Sequence, residues 1–257
     1  MAILLAFYRA LQQALEENRA AVAARILQVS PELRGFLQPG ARKLYCFSGP
    51  GVGELGDKET EEIIASQAEE VLKARKPQLV HVPLGKGWVD VFLEPVLPEP
   101  HLLILGGGHV GQKVATLAKE VGYRVTVVDD RPEFANRQLF PQADEVICES
   151  FASALDKILI DPSTYIVIVT RGHRHDYYCL RRVISSPAAY IGMIGSSRKV
   201  KGIMEGLAAE GVPRERLARV HAPIGLDIGA ETPAEIAVSI LAEIIQVYRQ
   251  GEQVKSG

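Results

Sequence analysis

A glycine-rich turn, Gly106-Gly-Gly-His-Val-Gly111, carries the most specific chemical signal of this sequence. Gly106, Gly108 and Gly111 fill a G-x-G-x-x-G pattern, with His109 between them, after a predicted strand and before a predicted helix. Backbone N–H groups left accessible by glycine, together with the helix dipole, favour an anion. The pattern predicts a site for a nucleotide-like phosphate; a tight turn that holds no ligand is the plainer alternative.

An acidic residue follows the next predicted strand. Asp129 lies 18 residues after Gly111, close to the ~20 typical of a carboxylate that binds a ribose hydroxyl. Asp130 and Arg131 come directly after it. Arg131 favours a phosphate, whereas Asp129 favours a 2′-hydroxyl, so the identity of the dinucleotide stays open at this point. A solvated turn is the alternative for Asp130 and Arg131.

A second polar segment, Thr170-Arg-Gly-His-Arg-His-Asp176, follows the fourth predicted strand of a parallel sheet. In a doubly wound sheet the fourth strand lies beside the first, so this segment should face the glycine turn across the crevice. Arg171 suits a phosphate, and His173, His175 and Asp176 are candidates for moving protons. In an extended segment the two histidines would share one side, but no distant ligand pair is evident, and no metal site is predicted.

Two further segments contribute candidate ligand contacts. Gly195, Ser196 and Lys199 lie where a fifth strand gives way to a helix, which suits an anion or an ordinary helix cap. Asp227 and Glu231 lie in a glycine-rich loop before the last helix. A turn-forming role for Asp227 and a helix-dipole role for Glu231 are the alternatives.

These segments need a scaffold, and the hydrophobic pattern predicts an α/β fold. Residues 101–257 alternate apolar strands with helices, as in a doubly wound, Rossmann-like parallel sheet. Residues 1–95 indicate a smaller α+β domain, and the proline-rich residues 96–100 a linker. A capping box, Thr232-Pro-Ala-Glu235, begins the last helix, which either covers the sheet or forms a homodimer interface.

Composition excludes several classes of protein. The 257 residues carry 29 Lys+Arg and 31 Asp+Glu, a net charge of −2, so no charge excess drives nucleic-acid binding. Three cysteines without C-x-x-C spacing suggest neither a disulfide framework nor a structural zinc site and favour a reducing cytoplasm. No apolar run approaches the ~20 residues of a membrane helix, so no membrane association is expected.

Several motifs in order resemble the XdhC/CoxI family of accessory proteins for xanthine dehydrogenase and related molybdenum hydroxylases. The resemblance covers nearly all of residues 92–250. The segments that carry it are Phe92–Pro95, Leu105–Gln112, Val128–Glu133, Phe140–Asp144, Thr170–Asp176, Tyr190–Ser196 and Ala222–Ile236.

The resemblance implies a protein that binds the molybdenum cofactor (molybdopterin), protects it during sulfuration and delivers it to a xanthine dehydrogenase-type apoenzyme. A cysteine desulfurase is the second implied partner. The first 90 residues depart from the family pattern: where it has Gly-Gly-Cys-x-Glu, this chain has Gly51-Val-Gly-Glu-Leu-Gly-Asp57, without the cysteine. Cys46 lies nearby and is better explained as a small buried hydrophobic residue.

Two other functions fit the same residues. An NAD(P)-dependent oxidoreductase would use the glycine turn and Asp129 equally well, with His173 or His175 as proton donor. A noncatalytic nucleotide sensor would bind nucleotide and recruit a partner, with the glutamate-rich residues 59–70 as a candidate partner segment. Fold analogy does not separate these alternatives. A maturation factor is favoured over an enzyme that turns over a substrate.

Overall fold

The computed structural model describes residues 2–47 and 49–250. The chain divides into two compact units, and the boundary between them falls between Pro98 and Glu99.

The first unit is built on an antiparallel sheet. In chain order its elements are α1 (Ala2–Glu16), β1 (Ala21–Val29), a short 3-10 helix (Pro31–Leu33), β2 (Arg42–Cys46), β3 (Val52–Gly53), α2 (Lys58–Ala74), β4 (Gln78–Leu84) and β5 (Gly87–Val96). The strand order is β3-β2-β1-β5-β4. Asp57 is the N-cap of α2, and its carboxylate accepts a hydrogen bond from the Thr60 N–H at 2.9 Å. Its buried residues Ile64, Ala68 and Val71 recur at helical spacing and pack on the sheet.

Strand β5 continues further into the proline-rich stretch than the sequence predicts. Pro95 pairs with Val22 and Val96 with Ala21, so the segment outside the strands is 97–100. This segment starts one residue later than the predicted linker of 96–100. Pro95 is tolerated because pairing with β4 ends at Leu93, which leaves that side of β5 without a hydrogen-bonding neighbour there.

The second unit contains a parallel sheet covered by helices, as predicted. In chain order its elements are β6 (His101–Leu105), α3 (His109–Glu120), β7 (Arg124–Asp129), β8 (Glu145–Cys148), α4 (Phe151–Lys157), β9 (Thr164–Ile168), α5 (His173–Val183), β10 (Tyr190–Met193), α6 (Ser197–Ala209), α7 (Arg214–Ala218), β11 (Val220–His221) and α8 (Pro233–Gln250). The strand order is β11-β10-β9-β6-β7-β8, and every pair is parallel.

Burial on both faces explains the unbroken apolar strands. Leu102 and Ile104 of β6 pack with α3 and α8, whereas Leu103 and Leu105 pack with α4, α5 and α6 on the opposite face. The strand order reverses between β6 and β9, which confirms the prediction that the first and fourth strands of this unit are neighbours.

Helix α3 begins at His109, directly after Gly108, and α5 begins at His173, inside the polar segment Thr170–Asp176, for which the sequence predicts no helix. Helix α8 has the predicted capping box, in which Thr232 N–H donates to the Glu235 carboxylate at 2.9 Å. Its buried stripe covers the sheet beside α3. Within the described residues, no helix is long and apolar enough to cross a membrane.

Candidate cofactor-binding site

Three glycines of the turn are required by the fold itself. Gly106 has φ +123°, and a Cβ there would overlap the Val169 carbonyl oxygen. A Cβ on Gly107 would overlap the carbonyl oxygen of Phe134, and one on Gly111 would overlap that of Gly106. These glycines let strand, turn and helix approach closely whether or not a ligand is bound.

Gly108 differs from them, because a Cβ placed on it meets no atom within 4 Å beyond its own chain neighbours. It is the N-cap of α3 and has no side chain that could accept a hydrogen bond from the helix. The first N–H groups of a helix have no intrahelical partners, so those of α3 are available to a ligand. His109, the first residue of the helix, is exposed. Packing does not require a glycine at 108, and the open position leaves room for an anion at the helix terminus.

The carboxylate of Asp129 is directed toward the protein rather than toward a ligand. Its side chain is 2% exposed and accepts from Gly107 N–H at 2.8 Å and from Arg131 Nε and Nη2 at 2.8 and 2.9 Å. Burial opposes ionisation, but these hydrogen bonds from Arg131 and Gly107 prevail and lower the pKa of Asp129. Arg131 also lies over the Phe134 ring, 3.8 Å from its centroid. The geometry therefore does not favour the predicted ligand contacts from Asp129 and Arg131; both hold the glycine turn in place.

A weaker ion pair crosses the crevice. Asp130 follows β7 and Arg171 follows β9, and their side chains approach to 3.6 Å although β6 lies between the two strands. Arg171 is half-exposed. An exposed pair at this distance contributes little stability, so a phosphate at the crevice can compete with Asp130 for the guanidinium.

The predicted proton-active residues His173, His175 and Asp176 lie in the first turn of α5, and their side chains point in different directions. His173 is exposed, whereas His175 packs edge-to-face against Phe151, with ring centroids 5.7 Å apart. The expectation that they share one side of an extended segment was wrong, because residues two apart on a helix point in different directions. Asp176 is buried and accepts from Thr170 Oγ1 at 2.5 Å. Burial raises the pKa of Asp176, while Thr170, His173 and Lys199 act in the opposite direction.

The start of α6 reaches the same region. Lys199 and His173 line one groove, so the first turns of α5 and α6 lie close together. Ser196 is the N-cap of α6 but makes no side-chain cap, as is also true of Gly172 at α5. Gly195 lies beneath them, half-buried. Three helices at the crevice, α3, α5 and α6, thus begin without a side-chain acceptor for their N–H groups.

The loop before α8 brings one of its two predicted residues toward this region. Asp227 and Gly195 line the same cavity of about 540 Å³, whereas Glu231 is exposed and outside its lining. Glu243, which is 1% exposed, fixes the loop: its carboxylate accepts from Gly225 N–H at 2.9 Å and from the Tyr190 hydroxyl at 2.7 Å. Sequence reasoning missed Glu243, although an acid in the apolar stripe of α8 is an available signal.

A groove between α5 and α6 was also missed. It has a volume of about 610 Å³ and is lined by His173, Arg174, Tyr177, Tyr178, Arg198, Lys199, Gly202 and Ile203. No group of three or more His, Cys, Asp or Glu that could hold a metal is present among residues 2–47 and 49–250.

A parallel doubly wound sheet with an open glycine turn at its switch point defines a Rossmann-type binding domain. Residues 102–244 match the family described as XdhC Rossmann domain, and the chain belongs to this family.

Relatives agree with this assignment. The chain is 35% identical over 219 residues to YqeB of Escherichia coli K12, covering 80% of this chain and 40% of the relative. It is 32% identical over 176 residues to a protein of Bacillus subtilis named as a probable xanthine dehydrogenase component, covering 68% and 51%. It is 24% identical over 168 residues to the molybdenum cofactor insertion chaperone PaoD of E. coli, covering 65% and 46%. The chain thus spans about half or less of the length of these curated relatives.

A crystal structure described as a xanthine dehydrogenase from Bacillus halodurans shares the fold. It has a TM-score of 0.55 at 23% identity, and the match covers 96% of this chain and 97% of the crystallised one.

Proposed function

We propose that this protein binds the molybdenum cofactor as cargo, holds it during sulfuration, and inserts it into a xanthine dehydrogenase-type hydroxylase. A cysteine desulfurase is the proposed source of the sulfur. The observation that carries the proposal is the open position at Gly108, at a helix terminus without a side-chain cap, in a chain of the XdhC family.

The residues around this position suit the cargo. The phosphate of the cofactor would bind the N–H groups that begin α3, with Arg171 released from Asp130 to pair with it. His173 and Lys199 would add positive or hydrogen-bonding groups on the opposite side of the crevice. Asp176, whose pKa is raised by burial, would hold or release a proton near the bound cargo. Delivery requires binding and release, and no turnover of a substrate.

The geometry of Asp129 argues against the alternative of an NAD(P)-dependent oxidoreductase. Asp129, which would bind the ribose of a nicotinamide cofactor, has its carboxylate engaged by Gly107 and Arg131. A ribose would have to displace a buried ion pair, which is costly.

Reconstitution tests the proposal. The full chain is loaded anaerobically with molybdenum cofactor, freed of excess by gel filtration, and mixed with an apo-hydroxylase; we expect hydroxylase activity to appear. Gly108→Val should abolish the transfer, because its side chain occupies the helix terminus, where a Cβ meets no neighbouring atom. Gly35→Val is the matched control, since Gly35 is exposed and equally open but lies in the first unit. Equal transfer by both variants would contradict the proposed site.

A further inference from the structure

The groove between α5 and α6 has the chemistry of a site for a flat, negatively charged molecule. Arg174, Arg198 and Lys199 supply positive charge, and none of the lining residues that the structure describes is acidic. Tyr177 and Tyr178 supply aromatic surface in the same groove. Aromatic rings and guanidinium planes stack on planar ligands, while the cations pair with anionic groups.

The ring of Tyr177 is fixed in position. Its hydroxyl donates to the Glu210 carboxylate at 2.5 Å, and Arg181 Nε donates to the same carboxylate at 2.5 Å. A Cβ on Gly206 would come within 3.1 Å of the Tyr177 ring, so glycine at this position lets the ring lie close to α6. The aromatic wall of the groove is therefore held before any ligand arrives.

Gly202 leaves the groove open in front of this wall. It lies one helical turn before Gly206, and a Cβ placed on it meets no atom within 4 Å apart from its chain neighbours and the adjacent backbone of its own helix. A glycine inside a helix destabilises it by about 1 kcal/mol relative to alanine. Packing in the protein alone does not account for this glycine, whereas room for a ligand does.

We infer that the groove between α5 and α6 binds the planar heterocycle of an anionic ligand, with the heterocycle against Tyr177, while Arg174 and Arg198 supply the positive charge that attracts the ligand. In the proposed function this ring is the pterin of the molybdenum cofactor, and the inference rests on that function. The groove adjoins the crevice through His173 and Lys199, which lie in the first turns of α5 and α6. Neighbouring strands are ~4.8 Å apart, so α6 begins roughly 10 Å sideways from the glycine turn, two strands away. One ligand can span that distance with its ring in the groove and its phosphate at Gly108.

Pterin-6-carboxylate is a suitable probe, because it has the ring and one negative charge but no phosphate. Its fluorescence is titrated with the full chain. We expect saturable binding that Gly202→Phe weakens by about tenfold or more, since the new ring occupies the space of the ligand. Gly202→Ala is the matched control, because it changes the same residue without filling the groove. Arg174→Glu/Arg198→Glu should weaken binding by a similar factor, whereas Arg214→Glu, on exposed α7, should not.

The outcomes separate this inference from the proposed function. Gly108→Val should retain pterin-6-carboxylate binding while losing transfer of the intact cofactor. Absence of saturable probe binding by the unmodified chain, or equal binding by Gly202→Phe and Gly202→Ala, would overturn the groove assignment. If the chain still transferred intact cofactor in that case, the groove assignment alone would have failed; loss of both would refute the proposed function as well.

Discussion

The Asp129–Arg131 pair gives the sharpest test of how the glycine turn is held. Arg131→Ala leaves a carboxylate that is 2% exposed with hydrogen bonds from backbone N–H groups but no countercharge. Breaking a buried ion pair in this way costs about 3–5 kcal/mol, and the Arg131 side chain, 20% exposed, is shielded enough for that range to apply. We expect the free energy of unfolding of the second unit to fall by about that amount.

The assay can separate the two units. Trp88 is the only tryptophan of the chain and lies in β5, so its fluorescence reports unfolding of the first unit. Far-UV circular dichroism reports both units. In urea, Arg131→Ala should move the circular dichroism transition of the second unit to lower denaturant and leave the Trp88 transition in place.

A double-mutant cycle with Asp129→Asn completes the test. The double variant should be much less destabilised than the sum of the two single variants, because the first substitution already removes the interaction. A loss below about 1 kcal/mol for Arg131→Ala, together with weaker nucleotide binding by Asp129→Asn, would refute the structural role. That result would support instead the ribose-binding role that the spacing of Asp129 from the glycine turn predicts.

The same pair has a pH signature. The pKa of Asp129 is lowered in the folded protein, so its contribution to stability is present above its unfolded pKa near 3.8. That contribution is lost as the pH falls through the lower, folded pKa. Unfolding below pH 4 should therefore depend less steeply on pH in Arg131→Ala than in the unmodified chain.

Three further predictions concern the second unit. Burial lowers the pKa of His101 to about 4, so proton uptake by the unfolded chain should reduce stability by up to about 3 kcal/mol as the pH falls from 6.5 to 4. Urea titrations across that range should show the slope, and His101→Gln should flatten it. Gly106→Ala should destabilise the unit by more than 1 kcal/mol, because Gly106 has a positive φ and a Cβ there would overlap the Val169 carbonyl oxygen. In thermal scans, Gly108→Ala should unfold within a few degrees of the unmodified chain. Glu243→Ala should lower the free energy of unfolding by about 3 kcal/mol, measured by urea denaturation. The substitution removes the acceptor of the buried Tyr190 hydroxyl and of the Gly225 N–H.

Much of the fold can be predicted from the sequence for physical reasons. Strands buried on both faces give unbroken apolar runs. The runs at residues 101–105, 124–128 and 165–170 therefore predict β6, β7 and β9 close to their observed limits. The glycine pattern identifies the strand–helix turn, and chain order alone places β9 beside β6. The prolines indicate the end of the first unit, although β5 extends to Val96 because its partner β4 stops first.

The direction of side chains is harder to predict. A carboxylate at the end of a strand has the same sequence signature whether it faces a ribose or, as Asp129 does, its own glycine turn. Helix α5 was missed because its first turn is almost wholly polar; the buried Leu180 and Val183 were its hydrophobic signal. The groove depends on two helices that are separate in sequence, and its main clue was a pair of glycines, Gly202 and Gly206, one turn apart in α6.

The most direct test of the central claim is the equilibrium affinity of the full chain for intact molybdenum cofactor, measured without oxygen beside NAD and NADP. We expect tight, saturable binding of the molybdenum cofactor that Gly108→Val weakens, and little binding of either nicotinamide cofactor, because the carboxylate of Asp129 is held by Arg131. Tight nicotinamide binding with no affinity for the molybdenum cofactor would contradict the account and leave the family relationship as evidence of the fold alone.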